Sequence, residues 1–432
     1  MEKVLFVVPP YPNRISEYLM LPSIEVCIIA QILIDAGYAV TLVDMKIDNL
    51  SLDIGLKQIE LGSPDYVVIE DDPKSHCNSV ALIKRIKDRM PTVKLGIRGE
   101  IASLVPALTL ERNPGLDFIL RFDDDYSLIK VIRAYSSNTE LRLIPNIAFR
   151  NPGVVVTPTR YFQYKLDSLP MPFRRLYDIP KYLKRDSETI VKSSRGCPGS
   201  CLFCVKTKVE QFQLFSIGRF CDEIEELLQM GFKSFFFSDD TFAFSETRLD
   251  CFCKEIKKRN LSFKWTSNMR IKDITENKIA LMKNAGAYRV FVGIETLNSN
   301  TQSTIKKGLN KDLIAEKIGI LHRYNMEFHT SFILGNPGDT EDDINKTIDF
   351  VNEINPTLVT YNLLKVFPGL ELYEHPEKYG IVLEDPFWYE KEDWSYRVVA
   401  GTKELPPSLL ERLEKKCLRS FIEHKMASLP VG

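Results

Sequence analysis

Short apolar runs rich in β-branched residues recur along this chain, separated by longer stretches whose apolar residues fall at helical spacing. Val4–Val8 is the first such run, and it stops at Pro9-Pro10-Tyr11-Pro12 because proline cannot continue a strand ladder. Residues 22–36 then carry a helical apolar pattern that ends at Gly37, a suitable C-cap. Further strands are expected at 39–44, 66–69, 93–97 and 117–120, with helices over 80–90 and 126–134. Strands alternating with helices predict a parallel, doubly wound sheet. Such a sheet holds its ligands in the loops beyond the carboxyl ends of its strands. Those loops are 9–13, 70–76, 98–103 and 121–125.

Residues 150–186 hold five prolines (152, 158, 170, 172 and 180) and no sustained period, and read as a linker laid over a surface. From Glu188 the alternation resumes. Strands are expected at 189–194, 234–238, 262–267, 288–294, 328–334 and 358–364, with helices over 218–230, 246–258, 275–285, 310–324 and 340–354. Six parallel strands with outer helices predict a partial (β/α)6 barrel, with chemistry at the carboxyl ends of the strands. Leu409, Leu410, Leu413, Cys417, Phe421 and Ile422 form the apolar stripe of a last amphipathic helix. The chain is thus α/β throughout. A doubly wound domain over 1–149 and the linker 150–186 lead to a partial barrel over 187–370, and a short aromatic and helical extension occupies 371–432.

Composition adds exclusions more than assignments. At 432 residues the chain can bury a sizeable core, and 44% hydrophobic with 27% charged residues is ordinary for a globular protein. A formal net charge of −1 gives no electrostatic reason to expect nucleic acid or an anionic membrane as partner. The longest apolar run, Val26–Ile34, is interrupted by Gln31 and is too short to span a bilayer. Nine cysteines and no signal peptide point to a reducing cytoplasm.

Three of those cysteines stand together. Ile190–Val205 runs from a β-branched start through Ser193, Ser194 and Gly196 into Cys197, Cys201 and Cys204, spaced C-x3-C-x2-C. Each thiolate can hold one iron of a [4Fe-4S] cluster. No fourth cysteine lies at ligand spacing, so one iron stays open for a small bidentate ligand. A structural zinc site needs a second Cys/His pair that does not follow, and a disulfide needs an oxidising compartment. Cys251 and Cys253 lie two apart on a helical segment, where they do not share a face.

The triad, with Phe203 just before its last cysteine, resembles the radical S-adenosylmethionine (radical SAM) enzymes. The resemblance implies that the cluster reductively cleaves SAM, and it assigns expectations to the barrel's strand ends. Ser238, Asp239 and Asp240 stand where relatives bind the methionyl ammonium, unless the two carboxylates cap the next helix; they are not separable by sequence. Asn268 and Arg270 end the third strand, and Arg270 either holds the SAM carboxylate or makes a surface salt bridge. Glu295, in Gly293-Ile-Glu295-Thr296, would take the ribose or ammonium, or else pair with a base such as Arg289. Gly335, in the fifth-strand segment reaching Glu341, would let the backbone approach the adenine. His329, Tyr361 and Asn362 are candidates to line a substrate pocket, with a satisfied core histidine as the alternative for His329. Phe387, Trp388, Tyr389, Trp394 and Tyr396 would either close the mouth of that pocket or simply pack.

The first domain resembles the cobalamin-binding domain that precedes the barrel in the class B, cobalamin-dependent radical SAM family. Leu21-Pro22, Gly37-Tyr-Ala-Val-Thr-Leu-Val-Asp44, Pro64-Asp65 and the Gly99 loop carry that likeness. It implies contacts to cobalamin from Pro10, Tyr11, Glu70, Gly99 and Asp124. Two features depart from it. No Asp-x-His-x-x-Gly motif is present, His76 being the domain's one histidine, and Asp123-Asp124-Asp125 replaces the usual Gly-Glu-Gly-Glu. A cobalt without a histidine lower ligand is expected. The implied reaction is methylation of an unactivated carbon or phosphorus in a small natural-product precursor, or a peptide, with a flavodoxin or ferredoxin as electron donor. The alternatives are ring formation, ring contraction or another skeletal change, or a silent binding protein.

Overall fold

The computed structural model describes residues 1–12, 21–122, 124–137, 139–160, 164–185, 188–206, 211–392 and 397–427. Asp123, Trp394 and Tyr396, named above, and residue 13 of the first loop lie outside the described residues. The chain divides into two compact units. One comprises residues 1–190 with 208–211 and 389–395, and the other comprises the rest.

The first unit is built on a seven-stranded sheet. Its strands are β1 (Lys3–Val8), β2 (Ala39–Asp44), β3 (Tyr66–Asp71), β4 (Lys94–Gly99), β5 (Phe118–Leu120), β6 (Ile147–Asn151) and β7 (Gly153–Val156). They lie in the order β2-β1-β3-β4-β5-β6-β7, with the first five parallel. This is a doubly wound order whose direction reverses between β1 and β3, opening a crevice at their carboxyl ends. The helix Ile24–Asp35 starts where the Ser23 side chain accepts from the Val26 amide at 3.2 Å. Leu5, Val7, Val67, Ile69, Leu95 and Ile97 of the strands pack with Leu82 and Ile86 of the helix His76–Arg89.

Two local expectations change. The third helix begins at His76 and not near Val80, because Asp72 and Pro73 open a 3-10 turn with the Asp72 carboxylate accepting from the Lys74 amide at 2.8 Å. Pro152-Gly153 sits at the turn of an antiparallel hairpin, β6 with β7, so the stretch read as unpatterned linker starts inside the sheet. Leu166, Leu169, Arg174, Tyr177 and Tyr182 of that stretch are buried.

The second sheet comprises β8 (Glu188–Val191), β11 (Ser234–Phe237), β12 (Lys264–Asn268), β13 (Ala287–Glu295), β14 (Glu327–Leu334) and β15 (Leu358–Leu363), while a ribbon of β9 (Ser194–Arg195) and β10 (Gln213–Leu214) closes the base of the cysteine loop. The six strands lie in sequential order and β11 to β15 run parallel. Sequential order with right-handed crossovers places the connecting helices on one face, as in a partial barrel. Burial alternates to match. Val290, Val292 and Ile294 of β13, and Phe328, Thr330 and Phe332 of β14, are buried, whereas Phe291, Gly293, His329 and Ser331 on the opposite pleat are half-open. The final helix, Pro407–Ala427, buries Leu410, Leu413 and Cys417, but Ile422 is 55% exposed, so its apolar stripe is covered only along its first half.

Candidate functional site

β8 leads directly into the cysteine loop, and the junction is fixed from below by one carboxylate. Asp239, 1% exposed, accepts from the Ser193 amide at 3.1 and 3.2 Å, from the Ser193 hydroxyl at 2.8 Å and from the Ser194 hydroxyl. Burial pushes the Asp239 carboxyl above its ordinary range while those donors pull it down. Arg248 donates to the carbonyls of Ser193 and Phe215, both at 2.9 Å, tying the two sides of the ribbon together. Gly196 then turns the chain at φ +72°, a conformation glycine adopts without strain. The Leu202 amide donates to Ile305 at 3.0 Å and anchors the far side of the loop.

Cys197, Cys201 and Cys204 are half-buried thiols outside any disulfide, each raised by burial, Cys204 to about 11. The Cys204 thiol is influenced by both Cys197 and Cys201, so the three share one electrostatic environment. Among the described residues no three such side chains close on a single metal ion. Thiols grouped in this way suit separate corners of a polynuclear cluster better than a mononuclear site. Loading would displace their protons.

Beside the loop, the strand ends of the second unit surround a cavity of about 340 Å³. Its lining includes Asp240, Asn268, Arg270, Glu295, Lys307 and His329, together with Phe291, Ser331, Thr360 and Asn362. Asn268 is held by donating to the Asp239 carbonyl at 3.0 Å, and Arg270 by Asp273 at 2.6 Å. Glu295 pairs with Lys307, while Arg289 goes to Glu327 at 2.6 Å instead. Glu295 has φ +72°, a costly conformation for a residue with a side chain. The His329 Nε2 lies 2.5 Å from the Thr360 hydroxyl, and its Nδ1 is buried without a partner. Burial and Arg289 push the imidazole below its ordinary pKa, which keeps it neutral near pH 7.

Not every expected residue faces this cavity. Tyr361 is turned to the opposite pleat and stacks on Phe332 at 5.9 Å. Gly335, at φ +93°, packs against the Leu410 side chain, which a Cβ would approach to 3.0 Å. Ser238 donates its amide to Val191 at 2.9 Å. Asp339 ties the neighbouring loops, accepting from Thr296 at 2.8 Å and Asn336 at 3.2 Å, and burial raises its carboxyl to about 6 from 3.8. The folded state therefore holds that proton more tightly. The stability advantage of the wild type over Asp339→Asn is expected to fall as pH rises from about 4 through about 6 and then level, read from urea midpoints.

At the carboxyl ends of the first sheet the expected residues fall into linked polar groups. Lys46 donates to the Tyr11 hydroxyl at 3.1 Å and lies over its ring, and Asn78 donates to the Pro10 carbonyl at 3.0 Å. Glu70 takes Arg98 at 2.5 Å and Ser23 at 3.0 Å. Gly99 abuts the Asp71 backbone so closely that any Cβ would collide with it. Asp124 accepts from Asn146 at 3.2 Å. His76 is buried and held by Asp71 at 2.8 Å, and the other Asp71 oxygen is buried with no partner.

A family profile described as the Radical SAM superfamily matches residues 191–351, the stretch that carries the cysteine loop and most of the cavity. The chain carries a radical SAM domain. It is 25% identical over 381 residues to an uncharacterized methyltransferase, PH0819, of Pyrococcus horikoshii, covering 86% of this chain and 83% of the relative. It is 23% identical over 433 residues to the anaerobic magnesium-protoporphyrin IX monomethyl ester cyclase of Synechocystis, covering 94% and 82%. The fold is similar to that of the radical SAM methyltransferase TsrM from Kitasatospora setae, solved with cobalamin and a [4Fe-4S] cluster. That match has a TM-score of 0.78 at 16% identity and covers 98% of this chain and 89% of the other. OxsB, solved with aqua-cobalamin and SAM, matches with a TM-score of 0.78 at 16% identity, covering 97% and 66%.

Within the radical SAM domain, sequence reasoning missed Lys307, Phe291, Ser331 and Thr360. The last three share the half-open pleat with His329 and Asn362, so a period of two counted back from the strand ends would have found them. Lys307 follows the short helix Ser299–Thr304 and has no such signal.

Proposed function

We propose that the chain is a cobalamin-dependent radical SAM methyltransferase acting on a small molecule. The observation that carries this reading is a loop of three cysteines, with no fourth, opening beside a cavity whose walls are the carboxyl ends of β12 to β15. When bound, a [4Fe-4S] cluster on Cys197, Cys201 and Cys204 supplies the electron that splits SAM, and a corrinoid in the first unit carries the methyl group. Asp240 would receive the methionyl ammonium, Arg270 the carboxylate, and the oxygen of Glu295 not engaged by Lys307 the ribose. Phe291, His329, Ser331, Thr360 and Asn362 would hold the substrate, with the neutral imidazole acting as a hydrogen-bonding group. In the first unit, Tyr11, Lys46, Glu70 and Arg98 offer polar groups at the strand ends, and the orphaned Asp71 oxygen offers one more acceptor. That set suits an amide-fringed corrinoid. His76 is buried and lies against the Tyr389 ring, which fits a cobalt without a histidine lower ligand.

The methyltransferase names of relatives and the cobalamin in TsrM and OxsB support this reading. The cyclase relatives support a second one, ring formation without methyl transfer. Among the described residues no helix is long and apolar enough to cross a membrane. A cytoplasmic location and a flavodoxin or ferredoxin as electron donor complete the proposal.

Anaerobically reconstituted protein given SAM and dithionite tests it. The expected products are 5′-deoxyadenosine and, only when cobalamin is added, S-adenosylhomocysteine. Cleavage without S-adenosylhomocysteine would favour the cyclase reading, and no cleavage would overturn both. Gly293→Ala is a second test, because its methyl would fall on the Glu295 carboxylate and the Lys307 ammonium. Overpacking of about 1–3 kcal/mol is expected to weaken SAM roughly tenfold in equilibrium binding while the chain still folds.

A further inference from the structure

Lys306 and Lys307 are adjacent, yet their side chains have separate fates. Lys306 takes φ +58° and is exposed, approaching Glu371 at 3.9 Å. Lys307 is only 16% exposed at its side chain and pairs with Glu295, itself 8% exposed. Both members of this second pair are fixed through their backbones. The Lys307 amide donates to the Gln302 carbonyl at 3.0 Å. The Gln302 side chain in turn donates to the carbonyls of Ile294 and Thr296, at 2.7 and 2.6 Å, on either side of Glu295. Glu295 is held in the left-handed region, and Gly293 leaves the space the two charged ends occupy. A strained backbone kept in place by its surroundings directs attention to what the pair faces.

It faces the cysteine loop. The Lys307 ammonium lies 5.9 Å from the centroid of the Phe203 ring, the residue before Cys204. A cluster held by three thiolates is anionic, and reduction adds one more negative charge. A fixed cation at a poorly solvated site favours the reduced form, since net local charge is one of the levers on cluster potential.

We propose that Lys307, held by Glu295, is a positioning residue whose charge raises the reduction potential of the cluster on Cys197, Cys201 and Cys204. This rests on the radical SAM reading above. The test is a potentiometric titration of the anaerobically reconstituted full chain, without SAM, with dithionite as electron source and the reduced cluster followed by electron paramagnetic resonance. Lys307→Met is expected to shift the midpoint to more negative potential at unchanged iron content. Lys307→Arg is expected to return it toward the wild type, and Lys306→Met to leave it in place. If Lys307→Met fails to fold, Lys307→Gln is read in its stead. A fully loaded, uncharged variant titrating at the wild-type midpoint would overturn the proposal. A wild-type chain that assembles no cluster would instead overturn the radical SAM reading, and this inference with it.

Discussion

Cys201→Ala is expected to reduce SAM cleavage to background while the protein remains folded, and Cys197→Ala and Cys204→Ala are expected to do the same. Most of the loop's anchors are not thiols, although the Gly199 amide donates to the Cys197 sulfur at 3.3 Å. Its base is closed by the β9–β10 ribbon, its entry by Asp239, and its far side by the Leu202 to Ile305 hydrogen bond. Removing one thiol therefore removes a cluster corner and little else. Reconstituted wild type should carry about four iron atoms per chain, and each variant should lose most of its iron and the charge-transfer absorption that accompanies it. Cys253→Ala serves as the control, since that thiol sits on the helix Glu246–Lys258 and only approaches the Leu281 carbonyl at 3.6 Å. It should retain both iron and turnover.

The second large effect belongs to the neighbouring carboxylates. Asp239→Ala strands two hydroxyls and one backbone amide in a buried site. Each orphaned donor costs about 1–3 kcal/mol, and because the three form one network the losses do not simply add. A loss of roughly 3–5 kcal/mol in unfolding free energy is expected, in line with breaking a buried charged network, and denaturant titration measures it. Asp240→Ala should behave differently. Its side chain lines the cavity and influences the thiols of Cys197 and Cys204. Stability is expected to change by no more than ~1 kcal/mol while SAM binding weakens. A pair of variants that both unfolded, or both merely lost SAM, would contradict this division.

That division was hidden in the sequence, where Asp239 and Asp240 are adjacent and chemically identical. The loop after β11 turns them apart, and no residue-type argument can say which of two neighbours points inward. The same limit explains Tyr361. The sixth strand was legible, but Thr360 and Asn362 face the cavity and Tyr361 faces the opposite way. By contrast, the six strands of the second sheet lie within about two residues of their expected starts, because each is a β-branched or aromatic run bounded by clear breakers. The β6–β7 hairpin escaped because Pro152-Gly153 reads equally well as a linker signal and as a tight turn. Gly335 was legible as a glycine that must be glycine. Its reason, contact with Leu410 some 75 residues later, is a tertiary fact.

The alternation along β14 and through the middle of β13 carries an evolutionary consequence. Helix-facing residues maintain the architecture, while the pleat opposite faces the cavity and is tied largely to itself, by the His329–Thr360 contact and the Phe291–His329 ring pair. Selection can therefore rewrite Phe291, His329, Ser331, Thr360 and Asn362 with little debt to foldability. A lineage built on this plan can diversify its repertoire of acceptors while leaving its scaffold intact, and a combinatorial library confined to those five positions should yield mostly soluble, cluster-bearing proteins.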